Sequence, residues 1–113
     1  EIVALPHSEW RHGLHGGAVE TAMMLHLRPD LVRLEEIRDA RPLGADLEET
    51  MRRLIPEGAA SFSWLAEDIN RTGVAGNARQ ADAAKGKLLV AHYGEVLADV
   101  IRDARAFPLE RLA

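Results

Sequence analysis

Apolar residues recur at intervals of three or four in two parts of the chain, which is the spacing of a helix with one apolar face. The first part covers residues 18–28. Val19, Ala22 and Met23 keep the spacing there, and further apolar residues between them widen the face. Because a proline disfavours helical geometry in the residue before it, we expect Pro29 to end the helix. The pattern therefore predicts a mostly buried helix over residues 18–28.

The second part begins at Asn77, which has Gln80 three residues later, a capping-box pattern typical of a helix start. The spacing after it predicts a long helix that ends at about Ala106. Its apolar face comprises Ala81, Ala84, Leu88, Leu89, His92, Val96, Val100 and Ala104. Gly86 and Gly94 lie inside this helix and each costs about 1 kcal/mol relative to alanine, so we expect a neighbouring element to pack closely there.

Shorter patterns predict the remaining elements. Residues 1–5 form a short apolar run closed by a proline, and residues 61–69 alternate between aromatic and polar side chains, so both predict strands. Residues 46–54 open with an aspartate and have a glutamate three positions later, which predicts a short surface helix. Residues 6–17 and 31–44 lack an apolar period and are interpreted as loops.

Length, composition and charge limit the classes of protein that fit. A chain of 113 residues forms one domain, and 47% hydrophobic with 28% charged residues is typical of a globular protein. The formal net charge of −4 provides no basic field for phosphate backbones, so we expect no nucleic-acid partner. No apolar run approaches the roughly 20 residues that span a bilayer, so we expect no membrane partner and a cytoplasmic location. Because cysteine is absent, any metal ligands must be nitrogen or oxygen atoms.

A histidine, two glycines and a glutamate occur together where the first helix begins. Gly16 and Gly17 allow a tight turn, which presents backbone N–H groups at the positive end of the helix, where they attract anions such as a substrate oxygen. Glu20 can bind a divalent metal ion, and His15 can accept or give a proton near neutral pH. A structural interpretation also stays open, in which Glu20 is only a favourable N-terminal charge and His15 only a loop residue.

The other histidines and Trp64 carry weaker signals. His7 and His12 lie in the same predicted loop without the fixed spacing of a metal site, and we interpret them as structural or solvent-facing. His26 and His92 lie on apolar helical faces, which is typical of core or interface histidines with one hydrogen bond. Trp64 is interpreted as a core residue, with the lining of a substrate pocket as the alternative.

Three segments resemble one known family. The segment "RHGLHGGAVETAMMLHLRPDLV" resembles the signature of the creatininase (creatinine amidohydrolase) family, in which a histidine, a glycine-rich turn and Glu-Thr precede an apolar helix and Arg-Pro-Asp-Leu-Val. The segments "SFSWLAEDINRTGVAGN" and "AAKGKLLVAHYGEVLADVIRD" are similar to that family's last strand, glycine loop and C-terminal helix. Because the three occur in order, the resemblance covers nearly the whole chain.

The resemblance implies an α/β fold of three layers, α/β/α, around a mostly parallel sheet. It also implies hydrolysis of a cyclic or linear amide C–N bond, in a small-molecule substrate, at a centre of two divalent metal ions that are zinc, manganese or iron. His15 matches the family's catalytic histidine, and Glu20 matches the motif's glutamate at the metal centre. Gly16 and Gly17 would shape the pocket beside them. Separately from the resemblance, Trp64 is predicted as a substrate-binding residue. A homo-oligomer, usually a hexamer, is implied as well.

The chain departs from the family pattern in its metal ligands. The family carries a Glu-x-His pair, an aspartate after it and a histidine in an Asn-Gly-His turn, and residues 1–14 supply none of these. Residues 1–113 are therefore expected to be the C-terminal portion of a single creatininase-like domain, inactive and weakly metal-binding alone. We expect this portion to be stable only in an intertwined oligomer or with the missing segment. The alternative is a non-catalytic oligomerisation or interaction domain that packs through the long C-terminal helix.

Overall fold

The computed structural model describes residues 2–112, which form α-helices joined by turns and loops, together with one small antiparallel ribbon. The α-helices in chain order are α1 (His7–His12), α2 (Ala18–Leu27), α3 (Leu43–Thr50), α4 (Ala66–Ile69) and α5 (Ala83–Ala106). The 3-10 turns are Pro29–Leu31, Leu34–Glu36, Ala78–Gln80 and Leu109–Leu112. The strands are β1 (Asp39–Ala40) and β2 (Gly76–Asn77). Within the described residues no helix is both long enough and apolar enough to cross a membrane.

The sheet of the described part is a ribbon of two residues per strand. Asp39 pairs with Asn77 and Ala40 pairs with Gly76 in antiparallel register. Residues 2–112 contain no parallel sheet, so the expected three-layer arrangement is not seen within them. The chain is mainly helical where an α/β architecture was expected.

Two strand predictions are wrong for the described residues. Residues 61–65 form no strand, and residues 66–69 form α4, where the Asp68 carboxylate accepts the Leu65 N–H at 2.8 Å. Residues 2–5 also lie outside a strand, and residue 1 of that prediction lies outside the described residues. An extended segment becomes a strand only when another backbone satisfies its N–H and C=O groups, which its own sequence pattern does not supply.

The core lies where α2 crosses α5. Its buried apolar residues are Val3, Leu5, Ala18, Ala22 and Leu89. At the crossing, a Cβ atom added to Gly86 would overlap the carbonyl group of Ala22, so only glycine allows the two helices to approach this closely. The expected close packing is therefore confirmed at Gly86. It is wrong at Gly94, where an added Cβ would meet no atom within 4 Å.

Much of the apolar surface of the long helix is uncovered. The exposed residues, which we call the apolar face of α5, are Leu88, Tyr93, Val96, Leu97, Val100 and Ile101, at 41% to 59% exposure. Of the predicted apolar face, Leu89 is buried. α2 is also less buried than predicted, because only Ala18 and Ala22 of its residues are buried and Leu27 is 55% exposed.

The helix boundaries agree with the sequence predictions in part. α2 agrees with its predicted range to within one residue, and the predicted end of α5 at Ala106 is confirmed. α5 starts later than predicted because the Asp82 carboxylate accepts the Lys85 N–H at 2.7 Å, whereas Asn77 caps a separate 3-10 turn. α3 begins three residues earlier than predicted, directly after Pro42. Residues 7–12 form α1 rather than a loop.

Candidate functional site

The segment His15-Gly16-Gly17, which we call the HGG turn, leads directly into α2. Gly16 has φ +63°, a left-handed conformation that glycine adopts without steric cost. The backbone of His15 pairs with that of Ala75, whose N–H donates to the His15 carbonyl at 2.7 Å and whose carbonyl accepts the His15 N–H at 3.3 Å. The turn is thus fixed to the segment that precedes β2.

Two residues of the first turn of α2 hold the peptide groups of Gly16. The Glu20 carboxylate accepts the Gly16 N–H, and the Thr21 hydroxyl donates to the Gly16 carbonyl at 3.1 Å. Glu20 also lies at the positive end of the helix dipole, which stabilises its charge. The spacing from the first glycine of the motif to Glu-Thr therefore has a local physical function: it places both side chains of the helix against the turn that precedes it.

Glu9 is a functional candidate that the sequence interpretation missed. Its side chain is buried, and its carboxylate accepts the Ala18 N–H at 2.6 Å and the Asn77 N–H at 2.7 Å. Ala18 is the first residue of α2, and Asn77 lies 68 positions from Glu9 in β2. No local pattern reveals a pairing across that separation. The structure therefore brings a buried carboxylate to the base of the HGG turn.

These bonds alter the expected anion site at the start of α2. The sequence predicted that N–H groups exposed by the HGG turn would attract a substrate oxygen. The N–H of Gly16 binds Glu20 and the N–H of Ala18 binds Glu9, so these two donors already have carboxylate partners within the protein. These two N–H groups therefore bind anions that the chain itself supplies.

His12 occupies a separate polar cluster. It is 2% exposed, its Nδ1 lies 2.5 Å from Oε1 of Glu57, and its Nε2 lies 2.9 Å from Oε2 of Glu48. Each ring nitrogen of His12 therefore contacts a carboxyl group. The hydrogen bond from His12, with a smaller contribution from Arg11, holds the pKa of the Glu48 carboxyl below its ordinary value. The cluster joins α1 to α3 and to the loop after it.

The remaining histidines lie apart from the HGG turn. His7 is exposed, which agrees with its interpretation as solvent-facing. His26 is exposed as well, so its interpretation as a core residue is wrong. His92 is half-buried and its ring packs edge-to-face on Tyr93, with 5.4 Å between ring centroids. His15 is therefore the histidine that lies in the HGG turn.

Trp64 lies on the loop between α3 and α4 and is half-buried. Its indole N–H donates to the carbonyl of Pro56 at 3.0 Å. This bond joins two parts of the same loop, so it has a structural role. The role of Trp64 in substrate binding, like those of Gly16 and Gly17, stays a prediction.

Two clefts hold histidines, and neither is lined by the HGG turn. The first, of about 380 Å³, lies beside Glu9 and His12 and is also lined by Asp39 and Arg41. The second, of about 560 Å³, is apolar and holds His7 and His92 beside Trp10. The side chains of His15 and Glu20 are both exposed. They lie on the same turn, but these clefts of the described residues do not enclose them.

The donor set of the described residues does not fit a centre of two metal ions. Among residues 2–112, no group of three or more histidine, aspartate or glutamate side chains is placed to hold a metal ion. Glu20 already accepts the Gly16 N–H. His12 touches Glu48 and Glu57 directly, which leaves no space for an ion between them. The role of Glu20 as a metal ligand therefore stays a prediction.

Comparison with known proteins identifies the class. The family profile described as creatinine amidohydrolase matches residues 2–101, which places the chain in an amidohydrolase-type family. The chain belongs to the creatininase family, as the three resembling segments indicated. Comparisons with curated proteins and with solved structures gave no match.

Proposed function

We propose that this chain supplies the His15-bearing edge of the active site of a creatininase-family amidohydrolase, which hydrolyses a cyclic or linear amide C–N bond in a small molecule. The observation that carries the proposal is the braced HGG turn. Its backbone is fixed by Ala75, Glu20 and Glu9, while the side chain of His15 remains exposed. A fixed backbone beneath a free imidazole is what a proton-transfer group requires.

The chemistry of His15 follows from its side chain. Attack of water on an amide carbonyl releases a proton, and departure of the amine requires one. An imidazole can take the first proton and give the second near neutral pH. Gly16 and Gly17 would leave space for a substrate beside the ring, and Trp64 would contact the substrate.

The proposal includes residues beyond this chain. The metal dependence general in the creatininase family would rest on ligands that the described residues do not provide, with Glu20 at most one contributor. We therefore derive no step through a metal ion. The exposed apolar face of α5 supports a complete three-layer fold, because a neighbouring sheet would remove that face from water. Cytoplasmic location and a homo-oligomer belong to the same proposal.

The experiment uses the protein expressed from its complete reading frame. A panel of cyclic and linear amides, including creatinine, is assayed before and after treatment with a chelator and after return of zinc or manganese. We expect hydrolysis of at least one amide, its loss on chelation and its return with metal. Absence of hydrolysis over the whole panel with metal present would contradict the proposal. A Glu-x-His motif and an Asn-Gly-His turn in the upstream coding sequence would support it independently.

A second candidate is a non-catalytic assembly domain. It is favoured by one observation, the apolar face of α5, which would equally be covered by another copy of the helix. An assembly domain would be indifferent to chelation and would hydrolyse nothing. The same assays therefore separate the two candidates.

A further inference from the structure

We propose that Glu9 is a positioning residue that holds the HGG turn, and through it His15, in the geometry for proton transfer. This inference rests on the proposed function for its catalytic consequence. Its structural part, that a buried carboxylate sets the conformation of the turn, can be measured without any substrate.

The Glu9 carboxylate is buried and fully engaged by backbone groups. The residue is 6% exposed, and a buried carboxylate is costly unless hydrogen bonds compensate for the lost water. Its two oxygens accept separate backbone N–H groups, from Ala18 at 2.6 Å and from Asn77 at 2.7 Å. Bonds to an ionised acceptor are short and roughly twice as strong as those between neutral groups. The two bonds therefore tie the start of α2 to β2.

Glycines leave the space that this carboxylate occupies. A Cβ atom added to Gly13 would lie 2.6 Å from Oε1 of Glu9, and one added to Gly76 would lie 2.7 Å from it. An added Cβ on Gly17 would also overlap this oxygen. Three glycines from two distant parts of the chain thus surround one oxygen atom. A methyl group at any of them would displace the carboxylate or the backbone.

His15 lies next to the two backbone groups that Glu9 binds. The backbone of His15 pairs with Ala75, and Glu9 joins the residues just beyond this pair, Ala18 on one segment and Asn77 on the other. The pair and the carboxylate together hold the two segments side by side. Loss of the carboxylate would leave two buried N–H groups without their acceptor and would let the turn move relative to β2.

The variant Glu9→Gln tests the inference because it keeps the size of the side chain. One carboxylate oxygen becomes an NH₂ group, which cannot accept a backbone N–H. In the complete protein we expect kcat to fall by at least about tenfold with KM within about twofold, because misplacement of a reacting group affects turnover more than binding. Glu57→Gln is the matched control, since Glu57 is a largely buried carboxylate that bonds His12 and does not touch the turn. Its kcat should equal that of the wild type.

Amide hydrogen exchange and the ring resonances of His15 give the readout that does not depend on turnover. In Glu9→Gln we expect the Ala18 and Asn77 amides to exchange at least about tenfold faster than in the wild type, relative to the Leu89 amide, and the His15 ring resonances to shift. Glu57→Gln should change neither.

The outcomes separate the two proposals. An active wild type with unchanged kcat in Glu9→Gln would overturn the positioning role, whatever the exchange rates show. Unchanged His15 ring resonances in Glu9→Gln would overturn it even if the wild type hydrolyses no amide. A wild type without hydrolysis, combined with shifted resonances, would overturn the proposed amidohydrolase activity and leave Glu9 as the residue that positions the turn.

Discussion

Glu9 and His12 lie three residues apart on α1, and they are the buried polar or charged residues of the described chain. Their partners differ in kind. Glu9 binds backbone N–H groups, so its bonds fix the course of the chain. His12 binds the side chains of Glu48 and Glu57, so its bonds fix how α1 sits on neighbouring segments. One helix of six residues thereby organises both the turn and the loop after α3.

Substitution of Gly76 is expected to lower the free energy of unfolding. Gly76→Ala places a methyl group against Glu9 in a backbone with φ +145°, which side chains rarely adopt. We expect a loss of about 2 to 4 kcal/mol in the free energy of unfolding, measured by urea unfolding. Gly73→Ala is the matched control, because φ is also positive at +76° but an added Cβ meets nothing within 4 Å. Its loss should stay near 1 kcal/mol, and equal losses in both variants would contradict the crowding at Glu9.

The lowered pKa of the Glu48 carboxyl predicts a pH dependence. A carboxyl with a lower pKa in the folded chain contributes stability above its unfolded pKa and loses it as the pH falls through the folded pKa. We therefore expect the difference in free energy of unfolding between wild type and Glu48→Gln to shrink from about pH 5 to about pH 3. Urea unfolding at a series of pH values measures it, with the exposed Glu67→Gln as the charge control. A difference that grows on acidification would contradict the bond to His12.

Among the helices and strands, the sequence patterns predicted the boundaries that depend on neighbouring residues. The range of α2 followed from its spacing and Pro29, and the end of α5 followed from its period. α1 and the two strands were missed because their positions depend on contacts such as Glu9 with Asn77, which no window of neighbouring residues contains. The HGG turn could be located from sequence, but the residue that fixes it could not.

The two glycines of α5 provide a matched pair. Gly86→Ala would push a methyl group into the carbonyl of Ala22, so we expect it to destabilise the fold by about 2 to 4 kcal/mol. Gly94→Ala meets open space, so the better helix propensity of alanine should stabilise by up to about 1 kcal/mol. Thermal and urea unfolding of both variants measure the difference. Equal effects of the same sign would contradict the close crossing of α2 and α5.

Considered as a whole, the molecule exposes the apolar face of α5 to water. Three segments were enough to identify the family, because they carry its motifs in order. The described residues pair only two short strands, which do not form the expected three-layer fold. The candidate site is only partly present: His15 and Glu20 share a turn, while the predicted metal centre requires more ligands than residues 2–112 bring together.

The uncovered apolar face predicts self-association of the 113-residue chain. In water such a face favours contact with another apolar surface, so light scattering should show association at micromolar concentrations. Leu97→Lys, at the centre of the face, should reduce it. Glu95→Lys also adds a lysine to an exposed position of α5, and it should leave association unchanged. A wild-type chain that stays monomeric at these concentrations would contradict the predicted self-association.

The most direct test of the account is the turnover of an amide substrate by the complete protein carrying His15→Gln. We expect the kcat of this variant to fall by at least about 100-fold, because general acid–base catalysis by His15 is lost. The free energy of unfolding should change by no more than about 0.5 kcal/mol, since the His15 side chain is exposed. A kcat within about twofold of the wild type would contradict the assignment of proton transfer to His15.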